Sequence, residues 1–248
     1  MLVPKSMDMR HKSNMFKLLT AMLKDPIIAN SLYFKGGSYA AIMGLINRFS
    51  IDLDFDILTT DAILQSKIKD KLHLLFTKLK FRVSDESQHH LQFFLKYEAT
   101  GSQRNTLKLE VSDRISPANE YETVTLKELG LVCRVQTIST MVANKFVAAL
   151  NRYDEKGRAA GRDFFDLREF MVAGLPVNRA VVEERMGTSY EEHIRRLLDF
   201  VKNTLKASDL YVDLNPLLPP KNFKFEVDQI IPDLTMLLTD ELARAKSK

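Results

Sequence analysis

The segment Ile51-Asp52-Leu53-Asp54-Phe55-Asp56-Ile57 alternates hydrophobe and acid without a break. A period of two belongs to a strand with one buried face, so Leu53, Phe55 and Ile57 are expected in a core. Asp52, Asp54 and Asp56 then stand in a row on the other face, neighbours about 6.5 Å apart along the backbone. Three carboxylates so placed repel one another and call for cations. Oxygen ligands suit Mg²⁺ or Mn²⁺, and two such ions about 3.5 to 4 Å apart drive in-line displacement at phosphorus. An EF-hand loop is excluded: counting from Asp52, the glycine position is Ile57 and the bidentate glutamate position is Ile63. A solvated, charged edge strand is the plain alternative.

What precedes the acids favours chemistry. SLYFK reads as a short strand, Gly36-Gly37 as a turn, and Ser38 as the N-cap of a helix running to about Ile46. A glycine pair lets backbone approach a ligand closely, and a helix start offers amides and a hydroxyl to a phosphate chain. Turn and acids together provide for both ends of a metal-bound triphosphate.

Elsewhere, residues 14–24 predict an amphipathic helix ending before Asp25-Pro26, and Asp61 caps a second helix carrying Ile63, Leu64, Ile68, Leu72, Leu75, Phe76 and Leu79. LQFFLKYE and TLKLEVS read as strands joined by a turn at Thr100-Gly101-Ser102. From about residue 136 the pattern is helical only: TISTMVANKFVAALN, RDFFDLREFMVAG, SYEEHIRRLLDFVKNTL, then an extended proline-containing stretch and a last short helix near 232–246. The expected fold class is α/β (α+β), with a mixed α/β half over 1–130 and an α-helical half over 131–248.

The single cysteine, Cys133, excludes a disulfide framework and suits a reducing, cytoplasmic setting. No apolar run reaches the roughly 18 to 20 residues that cross a bilayer, so no membrane role is expected. His73, His89 and His90 lack further ligands at metal-binding spacing and read as surface residues. Net charge is only +4, but residues 61–108 carry nine Lys or Arg against five acids, and residues 134–168 seven against four. Those surpluses are compatible with a polyanionic partner.

GGS, thirteen residues, then DLD matches the defining pattern of the nucleotidyltransferase superfold. The fuller FKGGSYAAIMGLINRFSIDLDFDI, and ANKFVAALNRYDEKGRAAGRDFFDLREFM after it, resemble the AbiEii/AbiGii toxin family, with Ser38 where threonine is common. The resemblance implies a nucleotidyltransferase-fold mixed sheet core with a C-terminal α-helical half. It also implies a toxin of a toxin–antitoxin or phage-abortive-infection pair, with a cognate antitoxin as a possible partner. The reaction implied is transfer of a nucleoside monophosphate from an NTP, GTP or a pyrimidine nucleotide, to an RNA hydroxyl such as the tRNA 3′ end, with Mg²⁺ or Mn²⁺.

By position, the resemblance makes Asp52 and Asp54 the metal-binding catalytic pair and gives the β and γ phosphates to Gly37 and Ser38, with Gly36 completing the turn. Asp56 is extra to the motif and is expected as a supporting or surface residue. Glu110, flanked by Leu107, Leu109 and Val111, is the candidate third carboxylate, as a metal ligand or as the base, with an ordinary exposed strand residue as the competing reading. Lys145, sharing a helix face with Arg152, is the candidate cation for the leaving pyrophosphate. Asp163 and then Asp166 would hold Lys145 or the nucleotide, and Asp163 could equally be a helix cap. Arg48 would meet a phosphate or brace the acids. Two rivals stand beside this reading. One is an aminoglycoside-type enzyme with a small acceptor, which calls for an acidic pocket; the other is a non-catalytic module that binds nucleotide or RNA.

Overall fold

A computed structural model describes residues 1–99, 103–221 and 223–246, and the expected turn at 100–102 lies outside them. The chain divides into two units, the first comprising Met1–Gly44, Arg48–Ile115 and Tyr121–Gln136, the second Leu45–Asn47, Ser116–Glu120 and Thr137–Lys248.

In the first unit, α1 (Met9–Lys24) buries Met15, Leu18, Leu19 and Met22, one helical face. Asp25 ends it and begins α2 (Pro26–Ser31), its carboxylate accepting from the amides of Ile27 and Ile28 at 2.9 and 3.2 Å, with Pro26 at the first helical position. At six residues, α2 is too short to leave a periodic signature. β1 (Leu32–Lys35) leads into α3 (Gly36–Ile42), then β2 (Asp52–Ile57) and α4 (Ala62–Lys78). Asp61 caps α4 as expected, accepting from Ile63 N at 2.9 Å and Leu64 N at 3.3 Å. The buried stripe of α4 is Ile68, Leu72 and Phe76, whereas Ile63 points to solvent. There follow β3 (Arg82–Glu86), β4 (Leu91–Lys96), β5 (Thr106–Ser112), β6 (Tyr121–Leu126) and β7 (Leu131–Gln136).

Among the described residues these strands form one seven-stranded mixed sheet in the order β3-β4-β5-β2-β1-β7-β6. β2 runs antiparallel to β1 and parallel to β5, and β1 runs parallel to β7. One face is the core: Phe34, Leu53, Phe55, Phe93, Leu109 and Val135 are all at most 1% exposed. Phe34 and Phe55 lie 5.0 Å apart between centroids, and Phe76 of α4 meets Phe93 edge-on at 5.1 Å. Each such ring contributes about 1.5 to 3 kcal/mol by leaving water. Cys133 joins this face of β7, and burial pushes its thiol up to about 12.

In the second unit, α5 (Ile138–Lys156) is capped by Thr137, whose hydroxyl accepts from Thr140 N at 3.3 Å. α6 (Gly161–Val172), α7 (Arg179–Met186), α8 (Tyr190–Asn203), α9 (Ala207–Leu214) and α10 (Phe223–Lys246) complete it. α10 begins well before residue 232 and keeps Pro232 inside it. Val227, Ile230, Leu234 and Leu238 are buried on both sides of the proline. That burial outweighs the roughly 3 kcal/mol an interior proline costs. Among the described residues no helix is long and apolar enough to cross a membrane.

His11 of α1 ties the core to the start of β2. Its Nε2 donates to Ile51 O at 2.8 Å, and its Nδ1 lies 2.6 Å from the Tyr97 hydroxyl. Burial pushes its pKa down to about 4, with the charge of Arg104 acting the same way and the Ile51 bond opposing. A depressed imidazole pKa means that the unfolded chain takes up the proton first. Stability is therefore full above pH 6.5 and falls as pH drops toward 4, by about 3 kcal/mol for that group. Urea unfolding of wild type and His11→Gln at pH 7.5, 6, 5 and 4.5 should give curves that converge as pH falls.

Candidate active site

Strand pairing assembles the polar face of the sheet row by row. Lys35 on β1 is opposite Asp54 on β2, Asp54 is beside Glu110 on β5, and Glu110 is opposite Gln92 on β4. In the next row Asp52 pairs with Lys108. The candidate carboxylates Asp52, Asp54 and Glu110 thus share one face, while Leu107, Leu109 and Val111 are buried on the other.

Asp56 is no surface residue. It is 1% exposed and bound by three donors: Lys35 Nζ, the Tyr121 hydroxyl at 2.9 Å and Gln136 Nε2 at 2.6 Å. The period of two held, but β6 and β7 bring Tyr121 and Gln136 over that end of the row.

Gly36 has φ +75°, a left-handed backbone, and a Cβ there would fall 2.7 Å from Asp54 Oδ2. At Gly37 a Cβ would fall 2.8 Å from Arg48 Nη2 and 3.0 Å from Ser50 Oγ. The glycine pair is therefore fixed by protein neighbours: one makes room for the Asp54 carboxylate, the other for a guanidinium. Two expectations are corrected here. The N-cap of α3 is Lys35, the helix ends at Ile42, and Ser38 lies in its first turn. Ser38 is fully buried and its hydroxyl donates inward to Asp52 O, with Ser50 Oγ 3.0 Å away. The first amides of a helix lack intrahelical acceptors, so with the Ser38 hydroxyl directed inward the groups this turn has left for a ligand are backbone amides. Arg48 is buried as well, donating to Phe49 O at 3.0 Å beneath Gly37, which makes it a brace of the turn.

Electrostatics single out Asp54. Burial and the charges of Asp52 and Glu110 push its pKa up to about 6, against the pull of Lys35 and Lys108. For Glu110, burial also opposes ionisation, but the Lys108 ammonium bonded to it, with Gln92 Nε2 at 3.3 Å and the charge of Lys35, brings its pKa below the ordinary value. Among the described residues no three His, Cys, Asp or Glu side chains form a ready metal cage. A pair of aspartates on one sheet face nonetheless fits Mg²⁺, which keeps waters and takes one or two carboxylates plus substrate phosphates.

In the second unit, the other predicted residues meet one another. Lys145 Nζ of α5 lies 2.8 Å from Asp163 Oδ1 and 2.9 Å from Asp166 Oδ2, both on α6, and Arg152 Nε lies 2.9 Å from Asp163 Oδ2. Both aspartates are buried. Burial would raise the pKa of Asp163, but Lys145 and Arg152 outweigh it and hold it low. The N-cap of α6 is Ala160, so Asp163 is no cap.

The sequence profile described as Nucleotidyl transferase AbiEii toxin, Type IV TA system, matches residues 17–240. The chain belongs to the AbiEii family. As a member of it, the protein is a nucleotidyltransferase, an enzyme that transfers nucleotides, of the toxin–antitoxin class. No curated protein sequence matches the chain. Among solved structures it is similar in fold to JHP933 from Helicobacter pylori, with 20% identity, a TM-score of 0.60, and 99% of this chain and 96% of that one covered. It is similar also to a putative nucleotidyltransferase from H. pylori, with 20% identity, a TM-score of 0.59 and 98% of each chain covered.

Lys35 and Lys108, the two cations that flank the carboxylates of this AbiEii chain, have no role that a sequence motif marks. Lys35 immediately precedes the glycine pair and Lys108 lies two residues before Glu110, but only the strand register brings them to the acids.

Two outcomes follow for stability. Gly44 has φ +74° like Gly36, yet nothing lies near its Cβ position. Gly44→Ala should cost about 1 to 2 kcal/mol of backbone strain alone, and Gly36→Ala clearly more, part of which Gly36→Ala/Asp54→Ala restores in denaturant melts. Lys145→Met removes the ammonium that bridges the buried Asp163 and Asp166 and should cost about 3 kcal/mol, read by the same melts.

Proposed function

We propose that this AbiEii-family protein transfers a nucleoside monophosphate from GTP or a pyrimidine NTP to an RNA hydroxyl, the 3′ end of tRNA, releasing pyrophosphate. It would do so in the cytoplasm, as the toxin of an abortive-infection, phage-defence pair with a cognate antitoxin. The observation that carries the reading is the alignment of Asp54 and Glu110 on one sheet face, with the Gly36 turn so close to Asp54 that no side chain fits between them.

Asp52 and Asp54 would hold Mg²⁺ or Mn²⁺, which when bound supplies positive charge to the phosphate oxygens and to the attacking oxygen. The backbone at Gly36, Gly37 and Ser38 would seat the β and γ phosphates, with the hydroxyl of Ser38 fixing the turn to β2 and Arg48 bracing it from below. The acceptor oxygen attacks the α-phosphorus, the bond from that phosphorus to the bridging oxygen breaks, and pyrophosphate leaves. Glu110, ionised at neutral pH, accepts the proton of the attacking hydroxyl. Lys35 screens the carboxylate row from one side and Lys108 from the other. Lys145, held between Asp163 and Asp166, is assigned to the charge on pyrophosphate by the family resemblance.

Incubation with each of the four labelled NTPs, Mg²⁺ and total tRNA should label RNA with one or two donors. Asp54→Ala should lower the rate by at least about 100-fold; equal label on RNA from wild type and variant sinks the assignment. EDTA should stop the reaction, and added Mg²⁺ or Mn²⁺ restore it.

A further inference from the structure

The polar face does not end at the carboxylates. Along β4 it continues from Gln92 through Phe94 to Lys96; Phe94 is opposite Lys108 on β5 and Asp85 on β3, and Lys96 is opposite Thr106 and Arg82. Phe94 is partly exposed, while its strand neighbours Phe93 and Leu95 are fully buried on the other face. Among the described residues no second aromatic ring packs on Phe94, and neither Arg82 nor Lys96 has a carboxylate within ion-pair distance. Asp85 is the one acid directly beside the ring in the register. Charged residues near a sheet edge discourage strand addition, and that accounts for Arg82 and Lys96. It does not account for a phenyl ring left partly exposed on the polar face.

A ring with cations beside it on an open sheet face is the arrangement that stacks a base and neutralises its flanking phosphates. β4 lies two strands from β2, about 10 Å at ordinary strand spacing, so Phe94 is within reach of an RNA strand that ends at Asp54 and Glu110. We propose that Phe94, Lys96 and Arg82 seat the single-stranded end of the acceptor RNA, a base of it stacked on Phe94 and its phosphates at the two cations. This rests on the proposed transfer to an RNA hydroxyl and adds where that RNA lies.

The test is fluorescence anisotropy of the full chain with a labelled single-stranded RNA 12-mer carrying a free 3′ hydroxyl, over a salt series without NTP, beside NTP binding with Mg²⁺. Phe94→Ala should weaken RNA binding about tenfold or more. Arg82→Gln/Lys96→Gln, a surface change that leaves the core intact, should flatten the salt dependence by a slope of about 1.4 for two lost phosphate contacts. NTP affinity should stay the same in both. RNA affinity and salt slope unchanged in the folded variants overturn the seat, as does an equal loss of NTP binding. If wild type binds RNA through these residues but labels none with any NTP, the seat stands and the transfer reading falls.

Discussion

Repulsion within one row of side chains is what the first unit is built around. Two carboxylates on adjacent strands, about 5 Å apart, repel by roughly 3 kcal/mol at an effective dielectric of about 20. Asp54 and Glu110 are so placed by the parallel pairing of β2 and β5. Lys108 is bonded to Glu110 and Lys35 to Asp56, so both outer acids of the set have their own cation. Asp54 is left with the residual repulsion, which adds to burial in raising its pKa. An acid in that condition gains more than its neighbours from any positive charge that arrives.

The turn before α3 depends on the same residue. Because the Asp54 carboxylate occupies the volume beside residue 36, that residue must be glycine, and because its backbone is left-handed, glycine is also the cheapest choice. Buried Arg48 and Ser38 then fasten the turn from beneath. The segment is rigid by packing, with its hydroxyl and its guanidinium both directed into the protein, so recognition there falls to main-chain groups.

Much of this was legible in the chain. The strict period of two in residues 51–57 placed Leu53, Phe55 and Ile57 in the core, and the flanks of Glu110 placed it on the face opposite Leu109. Lys145, Asp163 and Asp166 came from motif resemblance and do meet one another. What could not be read was long-range. Asp56 looks like its two neighbours until β6 and β7, polar strands with a weak pattern, supply Tyr121 and Gln136. Ser38 looks like a cap because glycine usually ends a turn before a helix, whereas here the glycines are themselves the first helical residues. Pro232 reads as a helix start, and the buried residues on both sides of it overrule that local preference.

Cys133 has a use that its chemistry alone would not suggest. Its thiol, 2% exposed on β7 beside the strand that leads into the glycine turn, is pushed up to about 12. Alkylating reagents act on thiolate, so in the closed sheet they find almost none. As the chain has no second sulfhydryl, the rate of its modification is a built-in clock for the opening of β7, which with the edge strand β6 holds Asp56 in place.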